Sequence, residues 1–263
     1  MLTRLLRLSI AAAAFVVPLP VHAAAPAGHA CRMVLAAPVG TSSCPGVRPG
    51  ALYSVENGNG CSMSFVFKGN DTRYYAASAG HCIWATSNLG PSAGKEEAWA
   101  PGSGLSVTDG SGDQIGRFAY GVWNDERDFS LIRLNPGVEV SGAMCYFGGP
   151  VSMYTAHVPG TVFLKHFGNG LIFGDTIPAR TAFTTDTSDP LWIRAYAASL
   201  PGDSGSGVMT EDGKAIGTLV DIDLASGQTG ITRLDASIAE AEKVTGLRFT
   251  LQTAKLEPDD IPL

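Results

Sequence analysis

From Gly50 onward the chain repeats one local pattern, a short run of alternating or apolar residues followed by a turn. Cys61 to Phe67 reads as a strand, Lys68-Gly69-Asn70-Asp71 as a turn, and Arg73 to Ala77 as the next strand. Gln114 to Tyr120 and Phe129 to Leu134 predict two more, and Asn135-Pro136-Gly137 breaks the pattern and closes a first lobe. A second set follows at Gly160–Phe167, Leu171–Phe173, Leu191–Ala195, Gly207–Thr210, Ala215–Ile222 and Gly230–Arg233, with Thr210 to Lys214 as a hairpin turn. Asp235 to Thr245 has helical spacing, with Asp235 as candidate N-cap and Gly246 past the end. Many short strands joined by turns, in a chain with 32 Gly and 16 Pro, predict an all-β fold.

Within this pattern, Gly202-Asp203-Ser204-Gly205-Ser206-Gly207 puts a serine into a tight glycine-rich turn. A serine hydroxyl is a poor nucleophile until a base accepts its proton. The tetrahedral oxyanion it forms then needs preorganised donors, which a glycine-rich main chain can supply unobstructed. A candidate base lies upstream in Ala76-Ala77-Ser78-Ala79-Gly80-His81-Cys82, and between the two Asp128 opens the strand-like run Asp128-Phe129-Ser130-Leu131. His22, His29, His157 and His166 lack such a setting and read as core or surface histidines.

The order His81, Asp128, Ser204 and the local A-[AG]-H-C, D-x-[AS]-L and G-D-S-G motifs resemble the chymotrypsin-like (trypsin-like) serine proteases. The resemblance runs from about Cys61 to Gly246. It implies two antiparallel β-barrels and a closing helix, with residues 47–137 as the first barrel, 138–250 as the second with that helix, and 251–263 as a tail. It further implies a secreted serine endopeptidase without cofactor acting on a polypeptide substrate. Ser204 would attack, His81 would transfer the proton, Asp128 would orient the imidazole, and the Gly202 and Ser204 N–H groups would form the oxyanion hole. Ala198, six residues before the serine, would lie at the base of the substrate pocket, and its lack of charge favours apolar or small side chains. Val220-Asp221-Ile222-Asp223 departs from the family's Ser-Trp-Gly, so Asp221 or Asp223 either makes the pocket acidic or is a solvated loop charge. No Ile-Val-Gly-Gly activation site is present.

All five cysteines lie beyond residue 25. The resemblance pairs Cys61 with Cys82, a loop of about 20 residues whose closure is worth roughly 3 kcal/mol. By the same analogy Cys145 pairs with Cys44, and Cys31–Cys44 is the alternative. Arg4 and Arg7, the apolar run Leu8–Val17 and the small residues to Ala25 describe a secretory signal peptide cleaved after Ala23 or Ala25. The run is too short to span a bilayer, and residues 26–46 read as an extended N-terminal segment.

The formal charge of -6 includes Arg4 and Arg7, so the mature chain carries about -8. Without a basic stripe, nucleic acid and anionic membranes are excluded as partners, and a monomer is expected. No His-Glu-x-x-His and no zinc-like spacing occurs, and Asp109-Gly110-Ser111-Gly112-Asp113 only faintly resembles a calcium loop, so no metal is expected. Two rival classes remain: an inactive homologue that only binds, against which the complete triad argues, and a lipase or esterase, which would need Gly-x-Ser-x-Gly and another chain order.

Overall fold

The computed structural model describes residues 44, 46–85, 94–170, 178–223 and 225–257. The expected leader, Cys31, most of the 26–46 segment and the run Leu171–Phe173 lie outside the described residues. Within them sixteen strands and two helices form two antiparallel β systems side by side. No described helix is long and apolar enough to cross a membrane.

The first lobe holds β1 (Leu52–Val55), β2 (Gly60–Ser62), β3 (Val66–Gly69), β4 (Tyr74–Ser78), β5 (Lys95–Ala98), β6 (Ser106–Asp109), β7 (Gln114–Trp123) and β8 (Asp128–Leu134). A short helix, α1 (His81–Trp84), follows β4. A last strand, β16 (Phe249–Leu251), returns from the far end of the chain to pair with β3. The order β16-β3-β4-β8-β7-β6-β1-β2, with β5 on β7, makes a half-barrel. The run Cys61–Phe67 is two strands rather than one. Ser64 N donates to Ala77 O at 2.7 Å and Met63 N to Ala51 O at 2.8 Å, so the chain turns a corner there between two pairing partners.

The second lobe holds β9 (Ser152–Met153), β10 (Phe163–Phe167), β11 (Ala179–Asp186), β12 (Trp192–Ala197), β13 (Gly207–Thr210), β14 (Lys214–Asp223) and β15 (Gln228–Arg233). The order β13-β10-β11-β12-β15-β14 closes through a β13–β14 pairing, and β9 adds to β14. Closure leaves six strands no free edge, and Leu164, Ile193, Val208, Leu219 and Ile231 alternate into its core.

Helix α2 (Leu234–Thr245) begins one residue earlier than its spacing suggests. Arg233, not Asp235, is its N-cap residue, and Asp235 sits in the first turn instead, bonded to the Arg233 guanidinium at 2.8 and 3.1 Å. A carboxylate there also favours the positive end of the helix dipole. Gly246, at φ 72°, ends the helix in the left-handed conformation open to glycine.

Candidate active site

His81 opens α1 directly after Gly80, and no larger residue could occupy position 80. A Cβ there would lie 1.9 Å from the Val122 carbonyl oxygen. This close approach sets the turn against the β7–β8 hairpin, where Asp128 begins β8. Asp128 takes hold of the histidine twice: the His81 main-chain N–H donates to Oδ1 at 2.8 Å, and Nδ1 lies 2.6 Å from Oδ2. Both side chains are buried, His81 8 % and Asp128 5 % exposed. With Nδ1–H given to Asp128, Nε2 is the acceptor nitrogen. Burial opposes the charged imidazolium, but the Asp128 carboxylate, with a contribution from Asp221, outweighs it and raises the His81 pKa above the ordinary imidazole value.

The Ser204 loop meets this pair from the other lobe. Gly202 (φ 102°) and Gly205 (φ 90°) take backbone conformations that a side chain would strain, and a Cβ on Gly205 would strike Ser78 Oγ and Ser62 O. Ser62 N donates to Ser204 O at 2.9 Å and Ser62 Oγ to Gly202 O at 2.9 Å. Cys61, beside Ser62, is disulfide-bonded to Cys82, beside His81, with Cα atoms 6.4 Å apart. One covalent link therefore joins the neighbour of the histidine to the neighbour of Ser62, which grips the serine loop. A second disulfide joins Cys44 to Cys145. Among the described residues the Gly202 and Ser204 N–H groups have no internal acceptor, and Ser204 Oγ makes no hydrogen bond, so the structure gives it none to His81.

Beneath the loop lies a group that the sequence reading missed. Asp203 is fully buried and paired with Arg180 of β11: Nη1 reaches Oδ2 at 2.7 Å and Nη2 contacts Oδ1. Gly170 N and Leu200 N also donate to the carboxylate, at 2.8 and 2.9 Å. The signal was present in β11, where Arg180 shares the inward parity of Ala182 and Thr184. A charge at an inward position requires a buried partner. Trp123, also missed, ends β7 with its ring centroid 6.2 Å from that of His81.

Ala198 is exposed, and its carbonyl accepts from Arg180 Nη1 at 2.8 Å. Asp221 is partly exposed and binds Arg194 Nη1 at 2.6 Å. Asp223 instead caps its own turn, accepting from Ala225 N at 2.9 Å and Ser226 Oγ at 2.7 Å. Asp109 does the same with Ser111 N and Asp113 N. By spacing, Cys61, His81 and Cys82 form a metal-sized group. The two sulfurs are joined to each other and His81 Nδ1 faces Asp128, which leaves no three-ligand set.

No protein-family model matches the chain, and no curated protein sequence matches it. Solved structures do. Thermobifida fusca protease A is 18 % identical, with a TM-score of 0.52 over 78 % of this chain and 98 % of that one. A glutamic acid specific serine protease, described as using a histidine triad in substrate binding, is 18 % identical, with a TM-score of 0.53 over 80 % and 100 %. Cellulomonas bogoriensis chymotrypsin is 19 % identical, with a TM-score of 0.51 over 78 % and 98 %. The chain therefore has the chymotrypsin-like fold.

Proposed function

We propose that this protein is a secreted serine endopeptidase that hydrolyses peptide bonds through His81, Asp128 and Ser204. One observation carries the reading: Asp128 holds both the main chain and Nδ1 of His81, beside a serine loop whose Gly202 and Ser204 N–H groups are free of internal acceptors. The structural neighbours, proteases by name, support the same class.

In this reading Ser204 Oγ attacks the carbonyl carbon while His81 Nε2 takes its proton. The carbonyl oxygen becomes an oxyanion facing the Gly202 and Ser204 N–H groups, where one donor is worth about 3 kcal/mol. The C–N bond then breaks, the amine leaves with the proton from His81, and the acyl group remains on Ser204. Water, deprotonated by His81, releases it by the reverse sequence. Asp128 stays ionised and steadies the imidazolium. The buried Arg180–Asp203 pair is a positioning device: it anchors the residue before the nucleophile.

Residues 1–25 act as the leader in this proposal, 26–46 as an extended segment, 47–137 and 138–248 as the lobes, with β16 rejoining the first lobe, and 252–263 as the tail of a monomer. Arg194 pairs with Asp221, and the uncharged Ala198 sets a preference for apolar or small side chains before the cleaved bond. Diisopropyl fluorophosphate should label one serine per chain, with no label in Ser204→Ala. Peptide hydrolysis should fall on the order of 10⁶-fold in Ser204→Ala or His81→Ala, as in subtilisin. A wild type that takes up no label, or a Ser204→Ala retaining a tenth of the activity, overturns the reading in favour of a binding protein on this fold.

A further inference from the structure

Away from the serine loop, on the first lobe, Arg73, Arg117 and Arg133 line one cavity of roughly 280 Å³ with Trp99 and Asn135. Arg117 of β7 and Arg133 of β8 are direct cross-strand partners, so two guanidinium side chains project from the same face of the sheet. Like charges directly opposite each other on a sheet are destabilising. The arrangement stands out further in a chain of formal charge -6.

The local acids do not balance it. Arg133 Nη2 donates to Asp71 Oδ2 at 2.9 Å, an oxygen that also accepts from Tyr75 OH at 2.8 Å. Arg117 Nη1 is bonded to a neutral acceptor, Gly104 O at 2.9 Å, and exposed Glu56, which feels the Arg117 charge, accepts from Ser106 Oγ. The Arg73 side chain has no acceptor among the described residues; its main chain is engaged, the N–H with Asp71 Oδ1 at 3.1 Å and the carbonyl with Gly69 N at 2.8 Å. Even if Glu56 is set against Arg117 and Asp71 against Arg133, one guanidinium is left over in a concave site. Trp99, half-buried against Trp84 with ring centroids 5.9 Å apart, supplies a flat apolar wall.

We propose that this cavity is an anion-binding site, taking a phosphate, sulfate or carboxylate group between Arg73, Arg117 and Arg133. Guanidinium forks match planar and tetrahedral oxyanions, and the bonds they make are charge-assisted. A cavity of this size admits one such group with part of its carrier, whether free phosphate or an acidic side chain of a polypeptide. Arg133 is five residues along β8 from Asp128, roughly 16 Å at the strand rise. The site is thus separate from the triad and independent of the protease reading.

The test is calorimetric titration of the Ser204→Ala protein with inorganic phosphate, with sulfate and with a glutamate-rich peptide, at ionic strength fixed with chloride. Saturable one-to-one binding is expected for at least one of them, weakened about tenfold or more in Arg73→Gln and in Arg117→Gln, and less in Arg73→Lys. Peptide binding without phosphate binding would assign the site to acidic polypeptide, and the reverse to the free ion. Arg73 makes no structural side-chain bond, so Arg73→Gln decides if Arg117→Gln does not fold. No saturable binding at tens of millimolar, or binding unchanged in Arg73→Gln, overturns the proposal.

Discussion

His166 gives the most quantitative prediction. It lies in β10, directly across from Arg180 in β11, fully buried, and neither ring nitrogen has a hydrogen-bond partner among the described residues. Burial, and then the positive charge of Arg180, push its pKa from 6.5 down to about 3. Below pH 6.5 the unfolded chain binds a proton that the folded chain refuses until about pH 3, so stability falls as pH drops through that window. At pH 4 the loss comes to about 3 kcal/mol, at 1.36 kcal/mol per pKa unit. His166→Leu, close in volume and unable to titrate, should remove this acid sensitivity and leave the carboxylate contributions in place. His81, whose pKa shifts the opposite way, is common to both proteins and cancels in the comparison. Urea unfolding of wild type and variant at pH 7 and pH 4, both in a Ser204→Ala background to prevent self-cleavage, measures the difference. If the two proteins lose equal stability, within 1 kcal/mol, between those pH values (an order-of-magnitude margin), His166 is not held neutral by its surroundings and the reasoning is refuted.

Three further outcomes follow from the site. Arg180→Met leaves the Asp203 carboxylate buried without its cation and should cost about 3–5 kcal/mol in urea unfolding, most of it recovered in Arg180→Met/Asp203→Leu; a single variant as stable as wild type would contradict the pairing. The raised His81 pKa places the acid limb of kcat/KM above pH 6.5, because the base must be neutral, and Asp221→Asn should move that limb downward; a limb below 6.5 in wild type goes against the Asp128 and Asp221 contributions. Ser62→Ala removes the Gly202 carbonyl's donor and the acceptor for Asn169 N and Nδ2, at 3.0 and 3.1 Å, and should cost about 1–3 kcal/mol and lower kcat more than it raises KM; an unchanged kcat would show that the serine loop does not depend on this tie.

The residues proposed to carry the chemistry stand out in the sequence because their motifs are short and local. Gly202 to Gly207 shows its turn in its glycines, and Gly80 must be small for the His81 turn to approach β7. Most strands were legible from alternation, and the structure lengthens several of them, as where Gln114–Tyr120 continues to Trp123. Strands β1, β6, β9 and β11 were also not read, β11 despite its local alternation, whereas other missed features are tertiary. Strand β5, Lys-Glu-Glu-Ala, is exposed throughout and has no inward parity to detect, since only its pairing with β7 makes it a strand. Strand β16 is too short to announce itself and exists through its pairing with β3, far earlier in the chain. Arg180 shows only its inward parity in the sequence, and its partner Asp203 is identified only where β11 and the serine loop converge.

In the proposed mechanism the two lobes must hold a fixed relation for His81 and Ser204 to act together, and several bonds between the lobes lie beside these residues. Thr232 Oγ1 of β15 donates to the Asp128 carbonyl at 3.2 Å, so the second lobe supports the residue that orients the histidine. Trp192 Nε1 of β12 donates to Glu126 O at 2.7 Å, two residues before Asp128. From the other direction, first-lobe Ser62 binds the carbonyls of Gly202 and Ser204. Each lobe thus fixes main-chain atoms at or beside the functional residue carried by the other, and main-chain atoms move with the backbone rather than by rotamer. A site divided between two lobes therefore gains its rigidity from Ser62, Trp192 and Thr232, residues that need never touch a substrate.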